Sequence, residues 1–360
     1  MAWQGILGHD DVVERFRRAL GRNRLASSFL FVGPEGIGKR TFALKLAQTL
    51  LCRVRPEAAM DPCGRCPSCV QVLAGSHPDL EVISKPADRA MLPLDLLIGD
   101  KDHRMREGLC HNIAMKPFLG GRKVAIIDDA DYFHEEGANC LLKTLEEPPP
   151  KSVLILIGTS PAKQLPTIRS RCQLIRFRPL APEIVAQLLT AHGLVEDGAE
   201  ARRLAAHGGG SVGSALELAD RDLWQFRGRL HGLLAAPRLE TVRLAAALQQ
   251  FVEQSGKEAA MRRLRLRRIV GFAAEFYEQL LRGLLGMLQR GEEGAQGQTG
   301  QSASGRPGDP EAAAACLDRC LQAAEQIDRN AHPTTVLECW LDDLARIAHR
   351  GRLAAGQLPS

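Results

Sequence analysis

The chain has 360 residues, 45% hydrophobic, 25% charged and 4% aromatic, an ordinary globular composition long enough for two or three domains. A formal net charge of +5 is mildly basic, compatible with nucleic acid nearby but too small to demonstrate it. Apolar runs are strand-length, and the opening MAWQGILGHD lacks the charged and apolar regions of a signal peptide, so neither a membrane span nor export is read. The expected compartment is the cytoplasm, where ten cysteines need a purpose other than disulfides.

SFLFV (28–32) reads as a buried strand, and TFALKLAQTLL (41–51) as a helix with Phe42, Leu46 and Leu50 at helical spacing. Between them lies GPEGIGK. Strand, glycine-rich turn and helix form the context of a phosphate-binding loop. Gly33, Gly36 and Gly38 let the backbone wrap so that successive N–H groups face phosphate oxygens. Lys39 would reach the β- and γ-phosphates, and the helix N-terminus adds its dipole. One departure matters. Such a lysine is normally followed by Ser or Thr, whose hydroxyl holds Mg²⁺. Here Arg40 follows, and the hydroxyl arrives one residue late at Thr41. Two readings stay open: an ATPase of unusual design, or a cradle that has kept its shape and lost its reaction.

Next come Cys52 and CGRCPSC, with Cys63, Cys66 and Cys69 in two overlapping C-x₂-C steps. Four thiolates so spaced suit a closed, structural Zn²⁺ site. KVAII (123–127) is a second buried strand, ending in Asp128 and Asp129. Acidic residues at that strand end sit where Mg²⁺ does, so Asp128 is the expected metal holder. Asp129 stands where such ATPases commonly carry Glu to polarise water, one methylene short. SVLILIG (152–158) is a third strand, followed by Thr159 and by PTIRSRC, which contains Arg171. From chemistry alone, Arg171 is either an arginine finger or a plain surface arginine. Buried strands alternating with helical segments predict an α/β domain with a parallel sheet.

Beyond Pro179 only helical patterns follow. Residues 290–310, rich in Gly, Gln and Ser, read as a disordered loop between two helices. Cys110 with His111, and Cys316 with Cys320, read as ordinary core rather than a second metal site. MRRLRLRR (261–268) holds five arginines in eight residues, read as a solvated helix face or a subunit contact in preference to a phosphate-binding stripe.

Taken in order, GILGHDDVV, RLASSFLFVGPEGIGK, the four-cysteine insert, GSHPDL, KVAIIDDAD, GANCLLKTLEEPP, LPTIRSRC, HGGGSVGSALEL and IDRNAHPTTVLECWL run through nearly the whole chain. They resemble the bacterial DNA polymerase III clamp-loader subunits, the AAA+ group that includes δ′ and γ/τ. Residues 85–105 match poorly and look longer than usual. The resemblance implies a RecA-like AAA+ domain over 1–178 with a zinc module at 52–69. A helical lid over 179–222 and a helical collar over 223–360 would follow. It implies assembly in a hetero-pentamer with γ/τ and δ that opens the sliding clamp and closes it on primer-template DNA, driven by ATP with Mg²⁺. By position, Arg171 would be a finger acting on a neighbour's ATP, Thr159 the sensor 1 residue, and Cys52, Cys63, Cys66 and Cys69 the zinc ligands. Motor-type γ/τ chains carry Lys-Thr or Lys-Ser, Asp-Glu, and an arginine in GSxRxAL. Here those features are Lys39-Arg40, Asp128-Asp129 and Gly213. Loss of all three with Arg171 kept resembles δ′, a stator with weak or no ATPase of its own. The alternatives are an active γ/τ-like motor, and a zinc-containing nucleic-acid module with a vestigial phosphate loop.

Overall fold

The computed structural model describes residues 3–86, 89, 91–236, 239–256, 259–293, 309–329 and 331–355. The chain divides into two compact units, Met1–Asp220 and Arg221–Ser360. The first is built on five parallel strands: β1 (Ser28–Val32), β2 (Leu80–Ile83), β3 (Lys123–Ile127), β4 (Ser152–Gly158) and β5 (Gln173–Arg176). Their spatial order is β2-β3-β4-β1-β5, so β1 lies inside the sheet, with Phe31 beside Ile157 of β4 and Ile175 of β5. The three strands predicted from apolar runs are β1, β3 and β4; β2 and β5 were not anticipated.

Alternation along the strands sorts the core into two layers. Phe29 and Phe31 face one side with Val124, Ile126, Val153, Ile155 and Ile157, against α1 (Asp10–Gly21) and α2 (Lys39–Leu51). Leu30 and Val32 face the other with Ala125, Ile127, Leu154 and Leu156. Six of the chain's few aromatic rings meet in the first layer. Phe42 of α2 stands 4.9 Å from Trp3, 5.7 Å from Phe16 and 5.2 Å from Phe177, centroid to centroid, and Phe29 and Phe31 complete the group. Each such ring is worth about 1.5–3 kcal/mol relative to exposure. Together they seat the start of α2 under the end of β1.

Three short helices, Pro182–Ala191, Gly198–His207 and Val212–Glu217, belong to the same unit. The regular elements of the second unit are, among the described residues, all helices: Arg221–Leu234, Thr241–Glu253, Ala259–Glu293, Pro310–Asp328 and Pro333–Ala355. Trp340 is fully buried there, Phe226 stacks on Phe251 at 3.8 Å, and Arg227 forms a two-pronged pair with Glu275 at 2.7 and 3.0 Å. Of the loop expected over 290–310, residues 290–293 instead complete the helix Ala259–Glu293 and Pro310 opens the next, while 294–308 lie outside the described residues. The arginine run is not a plain solvated face. Arg265 stacks over Phe251 at 4.7 Å, Arg267 pairs with Asp328 at 3.0 Å, Arg262 donates to the Gly256 carbonyl, and Leu266 is buried. Cys316 and Cys320 are buried on one helix, and burial pushes their thiols up to about 11 and about 12, as expected of core. No helix among the described residues is long and apolar enough to cross a membrane.

A buried polar chain joins the sheet to the cysteine-rich insert. The Asp79 backbone N–H meets His77 Nδ1 at 3.0 Å, so that nitrogen must be the acceptor and the proton sits on Nε2. Nε2–H therefore donates to Ser68 Oγ at 2.7 Å, and the Ser68 hydroxyl donates to the Leu51 carbonyl at 2.6 Å. The Asp79 carboxylate in turn accepts from the Phe118 and Leu119 N–H groups at 2.6 and 2.9 Å, fixing the loop before β3. Ser68, His77 and Asp79 are buried, and with every donor assigned this triplet is a brace, not a nucleophilic site. Asp79→Ala strands the two amides and is expected to lower stability in urea unfolding of the full chain by about 2–4 kcal/mol. Asp79→Asn should lose roughly half as much, because one carbonyl acceptor remains. Equal stability of Asp79→Ala and the parent would refute the brace.

Candidate functional site

The glycine-rich turn leaves the end of β1 and enters α2 at Lys39. Gly36 and Gly38 have φ of +69° and +96°, a region open to glycine at little cost. At Gly36 a side chain is also barred by space. A Cβ there would lie 2.5 Å from Ser211 Oγ and 2.9 Å from the Gly213 backbone. Gly213 N–H donates to the Gly36 carbonyl at 3.4 Å, and Ser211 caps the helix Val212–Glu217 through the Ser214 N–H. The turn is thus covered by the helical segment, with Gly213 in backbone contact with it.

The cleft beside the turn has a volume of ≈ 460 Å³ and is lined by Glu35, Gly36, Gly38, Lys39, Arg40, Thr41 and Asp128 on its polar side. Ile6, Leu7, Ile157, Leu180 and Leu188 supply an apolar wall, with His192 beside them. Such a division, apolar wall and a few convergent charges, suits a ligand with a flat body and an anionic tail. His9, buried at the rim, bonds the Ile37 carbonyl at 2.8 Å and packs edge-on against Phe177.

Lys39 is itself buried, and its Nζ donates to the Gly33 and Pro34 carbonyls at 2.7 and 2.6 Å. Burial pulls the ammonium below its ordinary value, against the opposing charges of Glu35, Asp131 and Asp128. Arg40 turns toward the end of β3, its Nη1 3.3 Å from Asp128 Oδ2. Thr41, third residue of α2, lines the same cavity. Asp129 does not line it. Its backbone is left-handed at φ +59°, and its carboxylate accepts from the Lys85 N–H at 3.2 Å. Burial first, then the charge of Asp128, push that carboxyl up. Thr159 follows β4 directly, and its N–H donates to Asp131 Oδ2 at 2.7 Å while its hydroxyl donates to the same oxygen. Gln164 donates to the other oxygen at 2.7 Å.

Arg171 sits after the short helix Pro166–Arg169, away from the residues lining this cavity. Its Nη1 donates to the Thr167 carbonyl at 3.0 Å and to Ser170 Oγ at 3.2 Å, and its Nη2 pairs with Glu146 at 2.6 Å. About a third of the side chain remains in solvent (34%).

The four cysteines converge. Cys52 caps the end of α2, Cys66 caps α3 (Pro67–Leu73), and the four Sγ atoms lie within 4.8 Å of one another. Cys63 and Cys69 are 3.9 Å apart, near the roughly 3.8 Å edge of a tetrahedron with metal–sulfur bonds of about 2.3 Å. Backbone N–H groups point at the sulfurs: Cys66 N–H to Cys63 at 3.4 Å, Cys69 N–H to Cys66 at 3.4 Å. The N–H groups of Arg65 and Cys66 draw the Cys63 thiol down, whereas burial pushes Cys69 up. The donor set can hold a metal ion. Among the described residues the other such grouping is Asp100, His103 and Glu107, all exposed; Cys110 is in neither.

Sequence spacing brought out the glycines, Lys39, Asp128 and the cysteines. It missed Asp131, which takes three donors, and the cavity wall from 5–9 and 180–192, because those residues carry ordinary apolar or polar identities and meet only in space.

Residues 8–181 match the family described as DNA polymerase III, delta subunit. The δ′ subunit of DNA polymerase III from Pseudomonas aeruginosa is 38% identical over 199 residues, 55% of this chain and 57% of that protein. The γ/τ subunit from Mycobacterium bovis is 33% identical over 220 residues, 60% of this chain and 36% of that protein. The chain thus spans somewhat over half the length of the δ′ relative. A solved γ-subunit-related protein of Thermotoga maritima shares 19% identity, covering 94% of this chain and 99% of that one at a TM-score of 0.37, too low to add to the strand order above. The cradle, the cysteine cluster and Arg171 all lie within residues 8–181, the span that is similar to the DNA polymerase III delta-subunit family.

Proposed function

We propose that this chain is a δ′-like stator of a clamp loader, acting in the cytoplasm with γ/τ- and δ-type subunits to place a sliding clamp on primer-template DNA. The carrying observation is the division of its arginines. Arg40, its side chain about half in solvent (54%), lines the cavity and pairs with Asp128, the residue expected to hold the catalytic metal, while Arg171 is not among the residues that line the chain's own cavity. A site arranged so contributes a cation to a neighbour's phosphates and little turnover at its own. Residues 179–222 would serve as the lid and 223–360 as the collar that joins the subunits. Thr159, bound to Asp131, would act as sensor 1 by fixing the end of β4, and Asp129, directed at Lys85, would position water poorly.

The cysteine cluster would hold one structural Zn²⁺, all four positions being filled by sulfur. Thr41 on the cavity wall favours one further reading, an active ATPase of the γ/τ type, since it is the one hydroxyl of the loop's first turn facing the ligand space.

Arg171→Ala is expected to leave assembly with γ/τ- and δ-type partners intact and to lower the ATPase rate of the complex. A finger is worth about 10³-fold or more at the interface it completes; an unchanged rate removes the assignment. Turnover by the isolated chain, abolished by Lys39→Ala, would instead favour the motor reading. Native mass spectrometry should find one Zn²⁺ per chain, and none after Cys63→Ser with Cys66→Ser, with thermal stability lowered. A metal-free chain of undiminished stability would sink the zinc assignment.

A further inference from the structure

In a phosphate-binding loop the residue after the lysine supplies a hydroxyl to Mg²⁺, and an acid at the end of a neighbouring strand holds the same ion. Here both places are occupied by one ion pair. Arg40 stands in the hydroxyl's position and reaches Asp128 with its Nη1 at 3.3 Å, bridging the first turn of α2 and the end of β3. Asp128 is largely buried at 18% side-chain exposure, and the half-exposed Arg40 is the cation that reaches it. A divalent ion at Asp128 would meet the guanidinium at the same carboxylate, two cations competing for one anion. The residues present do not fit the metal.

We infer that this cavity takes a nucleoside di- or triphosphate as its metal-free anion, with Arg40 standing in for Mg²⁺. A guanidinium has five donors in a rigid fork, so one edge can stay on Asp128 while the other meets phosphate oxygens. Lys39 completes the charge. Its Nζ now rests on two carbonyls of the turn, at 2.7 and 2.6 Å, and a phosphate offers stronger, charge-assisted bonds in their place. The turn's N–H groups and the N-terminus of α2 act on the same oxygens. On the far side, Ile6, Leu7, Ile157, Leu180 and Leu188 form the wall for a planar base. Because Gly213 contacts Gly36, a ligand held here would bear on the helical segment above the turn as well as on the sheet below it. No bond is made or broken. The ligand is held, and the site needs neither metal nor turnover.

This inference rests on the cavity being a nucleotide site but not on Arg171, whose test reads turnover of the assembled complex. The experiment is an equilibrium titration of the full-length chain with a fluorescent ATP analogue, competed by unlabelled ATP and ADP. It is run in buffer depleted of divalent cations and again with millimolar Mg²⁺. Depletion is preferable to a chelator, which would also compete for a metal in the cysteine cluster. Binding is expected without Mg²⁺, and to weaken in millimolar Mg²⁺ because the ion sequesters the free nucleotide that the site takes. Arg40→Ala should weaken metal-free binding about tenfold or more, the loss of one charge-assisted bond. Arg40→Thr, which restores the hydroxyl, should make binding depend on Mg²⁺, with circular dichroism and thermal melting confirming that both variants fold. Binding by the parent that requires Mg²⁺, no binding in either buffer, or equal metal-free affinity of Arg40→Ala would each overturn the inference.

Discussion

Everything at the site depends on β1 being an interior strand of a parallel sheet. Its residues are buried on both faces, so the chain can leave it only at the end, between β4 and β5. That exit fixes where the turn lies, and the aromatic layer fixes where α2 begins, because Phe42 must pack among Phe16, Phe31 and Phe177. Lys39, Arg40 and Thr41 are thereby set over the ends of β3 and β4 with little freedom. The chemistry of the cradle is a consequence of hydrophobic burial several ångströms below it.

The same reasoning explains what could be read from the sequence. β1, β3 and β4 announce themselves as continuous apolar runs because both of their faces are covered. β2 and β5 close the two edges of the sheet, and LEVI and QLIR mix charged or polar residues with apolar ones, as edges do. Four-residue segments of that kind carry too weak a period to be found alone. The glycines and three of the cysteines were legible because their geometry is local, set by spacings of two or three residues. Cys52 needed the helix before it. Arg40 and Asp128 lie 88 residues apart, and no spacing rule links them; only the sheet brings them together. Asp131 and His77 were missed for the same reason, since their partners are assembled by tertiary packing.

The cysteine cluster is likewise not an appendage. The Ser68 hydroxyl, between two of the sulfurs in sequence, bonds the last residue of α2, and His77 hands the connection on to Asp79 and the loop before β3. Trp3 donates to the Met60 carbonyl from the other side, and Trp3 also packs on Phe42. A metal that fixed the four sulfurs would therefore stiffen both ends of the layer on which the cradle rests. It would act through hydrogen bonds and packing already in place, with no contact to the ligand.

Arg40 and Arg171 show how one residue type can be given opposite roles by its surroundings. Arg40 is bound to an acid inside the cavity, so its charge serves this chain's own site. Arg171 is held by a carbonyl, a hydroxyl and Glu146, all on its own surface. An exposed ion pair such as that with Glu146 is worth only about 0–1 kcal/mol, little enough for an incoming phosphate to replace it. The carbonyl and the hydroxyl remain to aim the guanidinium while that exchange occurs. Pre-aiming lowers the entropy lost on contact, which is what a residue acting across an interface requires. The distribution of partners around the two arginines, rather than their presence in the sequence, is what separates a site that holds from a site that helps another react.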